Sequence, residues 1–113
     1  MSFLLGVSDK LLMPFLKDKK YFNVSDEGEA VGMGAGYYLA TGKPATVFMS
    51  ADGFMNALNP ITSWVIPEKI KMNIVISIGR TEPQHYLATE LVPKIIKNLN
   101  AKTIYFKFIR KKS

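Results

Sequence analysis

Two kinds of apolar pattern alternate along the chain. The runs "FLLGV" (3–7), "ATVFMS" (45–50) and "MNIVISIG" (72–79) are apolar at nearly every position, as strands buried on both faces of a sheet should be. "KYFNVS" (20–25) and "TIYFKFI" (103–109) are β-prone and bring the strand count to about five. Between the strands the spacing turns helical. "SDKLLMPFLKD" (8–18) sets Leu11, Leu12, Phe15 and Leu16 at helical intervals behind Ser8 as N-cap. Residues 25–42 form a small-residue helix that stops at "TGKP". Asp52-Gly53 leads into "FMNALNPITSW" (54–64), a helix expected to break or kink near Pro60. "EPQHYLATELVPKIIKNLN" (82–100) predicts a fourth helix, with Leu87, Leu91, Ile95 and Leu99 four residues apart.

This alternation predicts an α/β fold, a three-layer, mostly parallel sheet of about five strands with helices on both faces. At 113 residues, one domain over residues 1–113 is expected. In open parallel sheets ligands bind beyond the carboxyl ends of the strands. Those ends are "GVSD", "VSDE", "MSADG" and "SIGRTEPQH", and all four carry polar groups.

Composition removes several classes of chemistry. The absence of cysteine excludes disulfides, thiolate catalysis and cysteine-ligated zinc, and it fits a cytoplasmic protein. No stretch approaches the roughly 20 apolar residues of a membrane span. Met1 to Phe3 opens into "LLGV" with no basic n-region, so no signal peptide is expected. The net charge of +6 is concentrated in Lys17, Lys19 and Lys20 and in a tail of Lys107, Arg110, Lys111 and Lys112. Such a tail either binds an anionic surface or is a solvated, frayed end. The chain carries no nucleic-acid-binding motif and its aromatics do not alternate with basic residues on one face, so the frayed end is the expectation.

The stretch "SDEGEAVGMGAGYYLATG" (25–42) places Asp26, Glu27 and Glu29 directly before the small-residue helix. Asp26 suits the N-cap, and Glu29 three residues on completes a capping-box pattern. Glu27 is left over, either as one more first-turn acid favoured by the helix dipole or for chemistry. The helix itself carries Gly28, Gly32, Gly34 and Gly36. Each interior glycine costs up to about 1 kcal/mol relative to alanine, so close approach of a backbone or a ligand is implied. "GMGAG" lacks the spacing of a dinucleotide fingerprint.

"DEGEAVGMGAGYYLATGKPATVFM" resembles the pyrimidine-binding domain of thiamine-diphosphate-dependent decarboxylases, in which a glutamate precedes small residues and a Gly-Tyr pair. Here those are Glu27, Ala30 and Gly36-Tyr37. "GVSDKLLMPFL", "GFMNALNPITS" and "EPQH" resemble further segments in the same order, and phosphonopyruvate decarboxylase and the sulfopyruvate decarboxylase alpha subunit are the most similar members. The resemblance implies that Glu27 hydrogen-bonds the cofactor's aminopyrimidine ring and sets its proton for the decarboxylation of a small 2-oxo acid. It makes Glu27 and His85, the single histidine, the catalytic candidates. Glu27, Asp52 and Gly53 would be cofactor-binding, and Asp9 and His85 substrate-binding. Thiamine diphosphate would be shared with a separate diphosphate-binding, beta-type subunit that also holds magnesium, giving a homo- or hetero-oligomer without nucleic-acid or membrane partners.

The sequence departs from the family at the third strand end. "SADG" (50–53) stands for Gln-Asn-Ser-Gly, and Met55 replaces the next glycine. The loop before "EPQH" is only "RT", and no diphosphate-binding half follows "TIYFKFI". Three readings stand: an alpha-type decarboxylase subunit, a catalytically silent relative that acts in binding or assembly, and a parallel α/β domain for another small ligand.

Overall fold

The computed structural model describes residues 3–111. Met1 and Ser2, where no signal peptide is expected, and the basic residue Lys112 lie outside the described residues. The strands are β1 (Leu4–Gly6), β2 (Phe22–Asn23), β3 (Ala45–Ser50), β4 (Met72–Ile78) and β5 (Ile104–Arg110). The helices are α1 (Met13–Leu16), α2 (Glu27–Thr41), α3 (Ala51–Pro60) and α4 (Pro83–Leu99). All pairings are parallel, in the order β2-β1-β3-β4-β5.

That order explains how the helices are shared between the two faces. The chain steps one way from β1 to β2, then the other way at every later crossover. If each crossover is right-handed, the first helix falls on one face and the next three on the other. The two apolar clusters agree. One joins Leu5, Val47, Met49 and Ile76 to Ala30 and Val31 of α2, Phe54 and Ala57 of α3, and Ala88 and Val92 of α4. On the opposite face a smaller cluster joins Leu4, Phe48 and Val75 to Leu12 and Leu16.

Local signals set most element ends. The Asp26 carboxylate accepts the Glu29 amide at 3.1 Å and starts α2, and Gly42 ends it in the left-handed conformation at φ 76°. Two of the glycines inside α2, Gly28 and Gly34, answer to close packing. A Cβ on Gly28 would stand 3.2 Å from the Asn56 carbonyl oxygen, and one on Gly34 3.0 Å from Val47. At Pro60, which has no amide to donate to Asn56, α3 gives way to a π turn over Ile61–Val65. The expected break is therefore a change of helical pitch.

Two expectations are corrected. Ser8 is not the first N-cap. Asp9 is, with its carboxylate 3.0 Å from the Leu12 amide, and the segment opens as a 3-10 turn over Lys10–Leu12 before α1. The basic tail is not frayed: Lys107 and Arg110 belong to β5, which pairs with β4 along its whole length. On α4, Leu87 is 66% and Leu91 42% exposed, whereas Ala88 and Val92 are buried. A strict four-residue stripe drifts about 40° per step around a helix of 3.6 residues per turn, so Leu87 and Leu91 lie off the face that Ile95 and Leu99 share with the core.

Candidate active site

The strand order reverses between β1 and β3, the point at which open parallel sheets form their ligand crevice. Glu27 is the first residue of α2, and its side chain is partly buried. Asn56 Nδ2 of α3 donates to Glu27 Oε1 at 3.2 Å. The carboxylate lies over Gly53, where a Cβ would come within 2.3 Å of Oε2. Gly53 is thus the cradle that lets Glu27 sit against the first turn of α3. That turn is fixed in place by Ser50 Oγ, which accepts the Gly53 amide at 3.0 Å.

The same turn carries Asp52, whose Oδ2 is 2.5 Å from His85 Nδ1 near the start of α4. An ionised Asp52 keeps the imidazole proton on Nδ1 and leaves Nε2 as a proton acceptor. The structure therefore brings Glu27, Asp52, Gly53 and His85 together around one helical turn. Asp9 lies in a neighbouring cluster. The buried Ser77 hydroxyl donates to its Oδ2 at 2.7 Å, and Arg80 stands 3.9 Å from the same oxygen. A cleft lined by Ser50, Asp52, Ser77, Arg80, His85 and Thr89 joins the two clusters.

Glu82 is held below the ordinary carboxylate range by its own backbone amide first, then by Lys111, Arg80 and His85. Arg80 approaches it at 3.6 Å and Lys111 at 3.8 Å.

Ser77 and Arg80 are the site residues that sequence patterning does not single out. Ser77 and Arg80 stand at or just past the end of β4, so position at a strand end was the one signal pointing to them. Asn56 needed the α2–α3 packing to acquire a role.

Gly53→Ala is expected to leave the fold intact, because the group in the way is the tip of a flexible side chain. The added methyl pushes the Glu27 carboxylate off α3 and away from Asn56. A heteronuclear NMR spectrum should show a folded chain with changes confined to the Glu27–Gly53–Asn56 region.

A five-stranded parallel sheet with helices on both faces, and a glutamate at a helix start beside its switch point, defines an α/β domain whose candidate site lies at the strand ends. The chain belongs to the thiamine pyrophosphate enzyme, N-terminal TPP binding domain family, whose model matches residues 3–86. It is similar to a phosphonopyruvate decarboxylase of Streptomyces hygroscopicus, at 36% identity over 74 residues, 60% of this chain and 18% of that protein. The chain thus spans less than a fifth of that relative's length. Among the described residues no helix is long and apolar enough to cross a membrane.

Proposed function

We propose that this chain is the pyrimidine-side, alpha-type subunit of a thiamine-diphosphate-dependent decarboxylase acting on a small 2-oxo acid of the phosphonopyruvate or sulfopyruvate type. The observation that carries the reading is the Glu27 carboxylate, bonded to Asn56 through Oε1 and set over the side-chain-free Gly53. A partly buried carboxylate fixed on one oxygen fits the aminopyrimidine side of the cofactor. Thiamine diphosphate supplies the electron sink that decarboxylation of a 2-oxo acid requires. Glu27 holds a proton against a ring nitrogen through the oxygen that Asn56 does not bond. Asn56 keeps the carboxylate from rotating. His85 Nε2 moves a proton at the substrate, and Asp52 orients the imidazole. Asp9 holds Ser77 and the first helix in place at the substrate side.

The diphosphate and its magnesium belong, on this proposal, to a separate beta-type subunit, and the assembly is a homo- or hetero-oligomer. Exposed apolar side chains on the three-helix face support this: Met33 and Leu39 on α2, Met55 on α3, and Leu87 and Leu91 on α4. The second reading, a silent relative acting in assembly, is favoured by the Ser50–Gly53 segment. There Ser50 caps its own helix and Asp52 is taken up by His85.

The deciding test is calorimetric titration of thiamine diphosphate with magnesium into this chain mixed with a candidate diphosphate-binding subunit. Saturable binding, with release of carbon dioxide from phosphonopyruvate or another 2-oxo acid, supports the decarboxylase reading. Stable assembly without cofactor binding supports the silent relative.

A further inference from the structure

We infer that Arg80 forms an oxyanion subsite, recognising a phosphonate or sulfonate group carried by the ligand away from its reacting carbon. This rests on the proposed function for the identity of the ligand, but not for the site itself. The Arg80 side chain is only 27% exposed, and its two carboxylate neighbours stand at 3.9 Å (Asp9) and 3.6 Å (Glu82), both beyond hydrogen-bond distance. Its five N–H donors therefore have no hydrogen-bonded acceptor among the described residues. Both acids also serve other partners. Asp9 already accepts the Leu12 amide on Oδ1 and the Ser77 hydroxyl on Oδ2, at 3.0 and 2.7 Å. Glu82 is shared with Lys111.

The root of the side chain is fixed. Thr89 Oγ1 donates to the Arg80 carbonyl at 2.8 Å, and Gly79 makes the turn before it at φ 107°. The guanidinium is thus held at the end of β4 by charge, on a rigid base, with its donor edge unmatched, in the cleft that also holds the Asp52–His85 pair. A planar fork with spare donors matches the geometry of a tetrahedral oxyanion, which can accept two parallel N–H bonds. Lys111, on the far side of Glu82, adds a second positive charge.

The test follows the Arg80 Nε–Hε resonance of the 113-residue chain during titration with phosphonoacetate, sulfoacetate and acetate. It needs neither cofactor nor turnover. The expected result is a saturable shift with phosphonoacetate and sulfoacetate, with acetate binding about tenfold or more weakly. Arg80→Gln should abolish the response of the cleft amides, and Arg80→Lys should weaken it, because an ammonium replaces the fork by a point charge. Their spectra without ligand report whether each variant is folded. An unmoved Arg80 resonance, or an undiminished response of the cleft amides in folded Arg80→Gln, overturns the subsite. Failure of thiamine diphosphate to bind the assembled protein would overturn the proposed function and leave the anion-binding result of the titration unaffected.

Discussion

On the proposed function, Glu27→Gln in the assembled protein is expected to lower kcat for 2-oxo acid decarboxylation by about 10²–10⁴-fold, the usual range for removing a positioned acid–base group. Shape is kept. The glutamine amide oxygen can still accept from Asn56 Nδ2, and the remaining amide atom fits the space that Gly53 leaves. The variant loses the carboxylate's capacity to take and return a proton, which in the proposed mechanism is the whole function of the residue. Its cost to stability should be small. One first-turn charge at a helix N-terminus is worth about 0.3–1 kcal/mol at an exposed site, a few degrees in Tm for a domain of this size. Steady-state kinetics beside a thermal melt separate the two effects. A variant that keeps its kcat and loses only a little Tm would make Glu27 a third helix-starting acid, and the site would need another proton carrier.

The acids of the Asp26–Glu29 stretch show what sequence can and cannot reveal. Asp26 could be assigned from spacing because capping is local: the carboxylate needs only an amide three residues on, and Glu29 N supplies it. Glu27 could not be assigned that way, because its partners Gly53 and Asn56 lie far along the chain and meet it only once α2 packs on α3. Strands β3 and β4 were legible for a similar reason. Burial on both faces leaves an unbroken apolar run, whose bounds for β3 the structure reproduces at Ala45–Ser50.

The misreadings share one cause. Ser8 and Asp9 are both good caps by type, and the buried Ser77 hydroxyl, a tertiary partner, helps hold the Asp9 carboxylate in place. The basic residues of 107–111 resemble a tail, yet Lys107 alternates with Phe106 and Phe108, which pack toward the core from a paired edge strand. Arg80 carries no pattern at all. Its interest comes from what surrounds it, two acids that hold it without bonding it.

Gly6→Ala is expected to be the most damaging single methyl in the chain, costing about 3 kcal/mol or more. A Cβ at Gly6 would fall 2.0 Å from the Phe48 carbonyl oxygen and 2.8 Å from both the carbonyl carbon and Cδ1 of the same residue. Unlike the Gly53 case, the obstacle is backbone, and it belongs to the strand beside which β1 is registered, Gly6 opposite Phe48. The Phe48 ring cannot turn aside cheaply, because it is fully buried and stands edge-on to Tyr21 at 5.6 Å. Relief requires β1 to move off β3. That would strain the Val7 amide bond to Phe48 at 3.2 Å and the bond from the Val24 amide to Gly6 at 2.9 Å, loosening β2 as well. A loss of this size is a large fraction of the roughly 5–15 kcal/mol that holds a domain folded, so the variant should melt about 10 °C or more below the parent, or fail to fold. Gly36→Ala in the same chain is the control. A Cβ there meets nothing within 4 Å, in the interior of α2, so the same methyl should raise stability by about 0.4–1 kcal/mol. Chemical denaturation of both variants reads the contrast directly. Opposite signs confirm that contact with backbone decides the cost, whereas a harmless Gly6→Ala would mean that β1 and β3 do not hold the spacing the sheet requires.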